Sequence, residues 1–148
     1  MIPPNEHAMT SPSRSDRALP IGIRALHQAY AAGLSPSRVV DQVLDAIAAA
    51  GDPGIFISLA RREDLHAAAR ALGSFDPAAK PLWGIPFAVK DNIDVAGMAT
   101  TAACPAFAYT PEVSAPAVQV LVDAGAVVIG KTNLDQFATG LVGTRSPY

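Results

Sequence analysis

Residues 87–91 read Phe-Ala-Val-Lys-Asp, residues 126–130 read Ala-Val-Val-Ile-Gly, and between them Val118, Leu121 and Val122 recur at helical spacing. A strand, a helix and a second strand at this separation close as a crossover. That sets the two strands parallel, with the right-handed sense nearly all such units have. Ser114 stands where a helix cap belongs, and Gly125 follows the last helical turn. The remainder of the chain has to pack around this unit.

Upstream, residues 21–32 predict a short helix stopped by Gly33. Ser35-Pro36 opens another, with a capping hydroxyl and a proline at the first helical position. Val39, Val40, Val43, Leu44 and Ile47 share one face of it, and Gly51 ends it. Residues 55–59, bounded by Pro53-Gly54, predict a strand. Leu65, Ala68, Ala69 and Leu72 repeat as a third helical face, closed by Gly73. Residues 96–114 carry no clear period and are expected to form an ordered loop. Residues 1–19, polar and proline-bearing, are expected to be a flexible tail. The expected organisation is thus that tail followed by residues 20–148 as one portion of a domain, helical over 20–80 and βαβ-like over 81–148.

Composition narrows the classes. Half of the 148 residues are apolar and only 16% are charged, against about 25% in an average domain. This is too apolar for disorder and too lightly charged for a small protein wetted on all sides, so it reads as a buried layer of something larger. The net charge is −2 and no Lys/Arg cluster is present, which argues against a nucleic-acid partner. Cys104 is the single cysteine, so no intramolecular disulfide forms and a reducing compartment is expected. With no secretory h-region and no apolar run near the ~18 residues of a span, the expectation is a cytoplasmic protein without membrane contact.

Lys90 is the foremost candidate for chemistry. It interrupts an apolar strand, where an ammonium is costly and a neutral amine, a base, is favoured. Strand alternation sets Ala88, Lys90 and Asn92 on one face and Phe87, Val89 and Asp91 on the other. The competing reading is a structural lysine paired with Asp91 or Asp94. Cys104 could act as a nucleophile beside Lys90, but Ala102-Ala103-Cys104-Pro105 offers no histidine, and a packed thiol fits as well. His7, His27 and His66 lack ligand spacing, so no metal or other cofactor is expected; Asp94, Asp123 and Asp135 form no carboxylate pair. Lys131, Thr132, Asn133 and Asp135 follow a strand end, where ligand crevices form in α/β sheets; a self-capping turn is the alternative. Gly125-Ala-Val-Val-Ile-Gly130-Lys131-Thr132 matches the phosphate-loop pattern, but a helix precedes it and its interior is strand-forming, so its amides belong to a sheet ladder.

Gly84-Ile85-Pro86-Phe87-Ala88-Val89-Lys90-Asp91-Asn92-Ile93-Asp94 resembles the lysine motif of the amidase signature family. The block from Asp123 to Phe137 is similar to that family's next block, in order and spacing. The resemblance implies an α/β fold, the N-terminal part of a mixed β-sheet wrapped by α-helices, incomplete in this chain. It also implies amide hydrolysis by a Ser–Ser–Lys triad in which Lys90 is the terminal base. Both serines lie downstream of these blocks in the family. Ser146, followed by Pro147, lacks their flanking glycines. Residues 100–109 and 135–148 resemble the allophanate hydrolase branch, implying an allophanate-like amide as substrate and a homodimer when full length. The expectation is an N-terminal portion, ending at Tyr148, that is inactive and poorly soluble alone. The alternative from another class is a non-catalytic interaction module that keeps an amidase half-fold.

Overall fold

The computed structural model describes residues 22–148; the expected tail over 1–19 and His7 lie outside the described residues. Helix α1 spans Ile23–Ala31 and α2 spans Pro36–Ala50. Ser35 caps α2 by accepting the Arg38 amide, Pro36 takes the first turn, and Gly51 leaves in the left-handed region at φ 61°. Strand β1, Phe56–Leu59, precedes helix α3, Arg62–Ala71. Strand β2 is Pro86–Lys90, α4 is Pro116–Asp123 and β3 is Val127–Thr132.

The three strands form one sheet in the order β1-β3-β2. The β2–β3 pair is parallel, with α4 between the strands in sequence, as the spacing predicts. The β1–β3 pair is antiparallel, so a strand from the otherwise helical first half enters the same mixed sheet. Val40 and Leu65, from α2 and α3, pack with Val127 and Ile129 on one face of β3. On the other face Val89, Val95 and Val118 cluster with Phe87 and Val128. Each such side chain, once fully buried, contributes about 1.5–3 kcal/mol.

A third cluster joins Leu26, Tyr30, Val39 and Trp83, and it fixes the entry to β2. The Tyr30 hydroxyl donates to the Gly84 carbonyl at 2.6 Å, and burial raises the Tyr30 phenol above its ordinary range. Gly84 sits at φ +70°, and its missing Cβ leaves room for the Tyr30 ring.

Two local expectations are corrected. Ser114 does not cap α4. The N-cap is Ala115, and the Ser114 hydroxyl instead accepts the Ala96 amide at 2.9 Å, which ties the loop after β2 to the start of the helix. Strand β3 runs past Gly130 to Thr132, so Lys131 belongs to the sheet rather than to the loop beyond it. The loop at 96–114 is ordered, by bridges Val95↔Met98 and Thr100↔Tyr109 and a 3-10 turn at Pro105–Phe107.

Candidate active site

The phosphate-loop pattern dissolves into sheet and packing. Val127 donates its amide to Ile85, Val127 and Val128 pair with β2, and Gly130, Lys131 and Thr132 pair with both β2 and β1. The two glycines have other reasons. A Cβ on Gly125, at φ +94°, would stand 2.9 Å from the Trp83 Cα. One on Gly130 would stand 2.5 Å from the Ser58 carbonyl oxygen of β1.

Lys131 is the deeply buried cation of the described residues, with none of its side chain exposed. A bulge puts it there. The β2–β3 register steps from Phe87↔Val128 to Ala88↔Gly130, which leaves Ile129 as an extra residue on β3. Strict alternation from Val127 and Ile129 would point Lys131 toward α2 and α3. The extra residue turns it over, opposite Val89 and onto the face that carries Asp91.

The Lys131 Nζ lies 3.1 Å from Asp91 Oδ1 and donates to the Ala99 carbonyl and the Thr100 hydroxyl, each at 3.1 Å. Three oxygens surround the ammonium, and two of them accept its hydrogen bonds. The Asp91 Oδ1 contact is ionic without good hydrogen-bond alignment, whereas Oδ2 accepts both the Thr101 amide, at 2.9 Å, and the Thr101 hydroxyl. The network continues outward, because Thr100 and Tyr109 both donate to Asp94 Oδ1, at 2.8 and 2.7 Å. The Asp94 bond raises the Tyr109 phenol above its ordinary range.

Lys90 presents the opposite picture. Its side chain is exposed, as are those of Ala88 and Asn92 on the same face. The predicted alternation holds, but the predicted burial does not. That face of the sheet is the one α2 and α3 cover over Val127 and Ile129 of β3, but the cover does not reach Ala88 and Lys90 on β2, so the amine meets solvent. Nor does Lys90 pair with Asp91 or Asp94, whose carboxylates are held by Lys131, Thr100, Thr101 and Tyr109. In this sheet the buried lysine of an apolar strand is Lys131. The signal was available in the sequence, in Val127-Val128-Ile129-Gly130-Lys131.

The backbone at Lys90 is firmly held. The Lys90 carbonyl accepts the Ile93 amide, the Asp91 amide reaches Thr132, and the Asp91 carbonyl accepts Ala102. Ala102 and Ala103 are left-handed, at φ 49° and 55°, and so are Phe137 and Ala138, at 52° and 57°. Each such non-glycine residue costs on the order of 1–2 kcal/mol. The two strained pairs are stitched together, with the Phe137 amide on the Ala102 carbonyl and the Gln136 side chain on the Ala103 carbonyl.

Beyond β3 the polar residues cap one another. Asn133 Oδ1 accepts from the Leu134 amide and the Ser146 hydroxyl, and its Nδ2 reaches Gly54. Asp135 accepts the Arg145 amide at 2.7 Å and the Gly143 amide at 2.9 Å. These bonds, the Arg145 amide foremost, hold its carboxyl below 3.8. A Cβ on Gly140 would collide with the same carboxylate. The self-capping reading of this segment therefore stands over the ligand crevice. Cys104 is a free, partly exposed thiol on the strained loop. His66 bonds Asp41 on the helical layer and His27 packs on Phe75, so neither joins the strand ends. Among the described residues no His, Cys, Asp or Glu group is placed to hold a metal ion.

Comparison with known proteins agrees with the motifs. The chain is 52% identical over 112 residues to urea amidolyase of Saccharomyces cerevisiae, covering 75% of this chain and 6% of that protein. The fold superposes on Kluyveromyces lactis allophanate hydrolase with a TM-score of 0.71 at 45% identity, over 86% of this chain and 21% of that one. It superposes on the peptide amidase of Stenotrophomonas maltophilia, also with a TM-score of 0.71, at 34% identity over 80% of this chain and 26% of that one. The chain therefore spans a small share of the relatives it matches. The family model described as Amidase matches residues 38–148, and the chain belongs to the amidase family.

Proposed function

We propose that the complete protein carrying these residues hydrolyses a C–N bond of allophanate, releasing ammonia and carbon dioxide, with Lys90 as the terminal base of a Ser–Ser–Lys triad. The observation that carries the reading is Lys90 itself. It lies in the motif of an amidase-family chain, on a rigidly bonded strand end, with its side chain exposed. An amine so placed can take a proton from a bridging serine, which in turn activates a second serine for attack on the carbonyl. The amine leaving group departs with a proton, and water then releases the acyl group. Likeness to urea amidolyase and to an allophanate hydrolase supports the choice of substrate.

Among the described residues, β1 and β2 each pair only with β3. Exposed Val113, Leu141 and Val142 add apolar surface. On this reading residues 1–148 alone are inactive and poorly soluble, and further structure covers the exposed Lys90 end of β2. A cytoplasmic homodimer that engages neither nucleic acid nor membrane completes the proposal; no described helix is long and apolar enough to cross a membrane.

The test is ammonia release from allophanate and from a simple aliphatic amide by the purified complete gene product and by residues 1–148. Preferred turnover of allophanate by the former and none by the latter is expected. Absence of turnover by the complete product, folded and monodisperse, contradicts the proposal and favours a non-catalytic interaction module.

A further inference from the structure

We propose that the buried Lys131–Asp91 pair is the positioning device for Lys90; the inference rests on the reading of Lys90 as the base. Asp91 follows Lys90 directly, and its side chain is anchored on the far face of the strand by Lys131 and Thr101. Anchoring Asp91 there fixes the direction in which the Lys90 side chain leaves. The same Lys131 amine holds the Ala99 carbonyl and the Thr100 hydroxyl, so it also pins the loop whose Ala102 amide bonds the Asp91 carbonyl. One cation thereby fixes the strand end and the left-handed turn packed against it.

Two details point to a positioning role over a merely cohesive one. The bulge at Ile129 exists on the strand that must deliver Lys131 to this face, and bulges re-aim side chains beside active sites. The strained turn at Ala102 and Ala103 is bonded directly to this network, and strain of that kind clusters where geometry is functional. The charged groups around the strand end are Asp91 directly after β2, Lys131 on β3 and Asp94 in the turn beyond. Lys131 itself touches neither substrate nor the reacting atoms on this account.

The experiment compares Lys90→Ala, Lys131→Met and Thr101→Val in the complete gene product, reading kcat, KM and the pH profile of kcat for allophanate. Lys131→Met is expected to lower kcat about a hundredfold, the scale of a misplacement near 1 Å, with KM little changed. The acid limb of the profile should move to higher pH, because an uncompensated Asp91 carboxylate favours the charged amine beside it. Thr101→Val removes one hydrogen bond to Asp91 and should move kcat and the limb in the same directions by less. It decides the matter if Lys131→Met fails to fold. A lowered kcat with an unmoved profile marks a structural role and overturns the inference, as do wild-type kinetics in both variants. Wild-type turnover by Lys90→Ala instead overturns the assignment of Lys90. Inactive Lys90→Ala beside unchanged Lys131→Met and Thr101→Val overturns the positioning role alone.

Discussion

Replacing Lys131 by methionine tests the energetics of the buried pair. The charges stand 3.1 Å apart with neither side chain exposed. Coulomb's law at an effective dielectric of about 20 gives roughly 5 kcal/mol of attraction at that distance. Much of this offsets desolvation, but removing one partner leaves the other charge buried alone, which costs about 3–5 kcal/mol. Lys131→Met should therefore destabilise the β2–β3 ladder by that amount. Asp91→Asn with Lys131→Met should recover a large part of it, since Asn still offers Thr101 an acceptor and no charge is stranded. The assay is native-state hydrogen exchange of the slowest β2 and β3 amides in the complete gene product. At about 1.4 kcal/mol per decade, the single variant should exchange roughly a hundred to a few thousand times faster. A loss under about 1 kcal/mol in the single variant, or a double variant as damaged as the sum of its singles, refutes the reasoning.

Two further outcomes follow from the same geometry. Gly130→Ala places a Cβ 2.5 Å from the Ser58 carbonyl oxygen and 3.0 Å from Leu59 Cδ2, so β1 must part from β3. A cost of about 1–3 kcal/mol is expected, read as faster exchange of β1 amides; unchanged exchange contradicts it. Asp135→Asn should expose residues 139–146 to protease relative to wild type at neutral pH. The Arg145 and Gly143 amides hold the native carboxyl below 3.8, so its contribution is fully present above the unfolded value and is lost as pH falls through the native one. The protease gap should therefore narrow below about pH 3.8, and a gap that persists undiminished into acid contradicts the assignment.

Much of the layer structure was legible because it rests on local signals. The α2 boundaries follow from Ser35, Pro36 and Gly51, and the parallel pairing follows from the spacing of two apolar runs around a helix. What escaped depends on partners distant in sequence. The bulge at Ile129 arises between β2 and β3, and it alone decides which side of the sheet receives Lys131. Ser114 has the chemistry of a cap, yet its hydroxyl is taken by the Ala96 amide. Lys90 is exposed for a related reason, since alternation tells which residues share a face and not how far across the sheet that face is covered. For the proposed site, the motif points to Lys90, while the network of Asp91, Thr100, Thr101 and Lys131 required the fold.

The most direct measurement is allophanate turnover by the complete gene product with Lys90 changed to alanine. The account predicts that ammonia release falls by about 10⁴-fold or more, while hydrogen exchange across β2 and β3 stays as in wild type. A folded Lys90→Ala protein that still turns over allophanate within tenfold of the wild-type rate would contradict it.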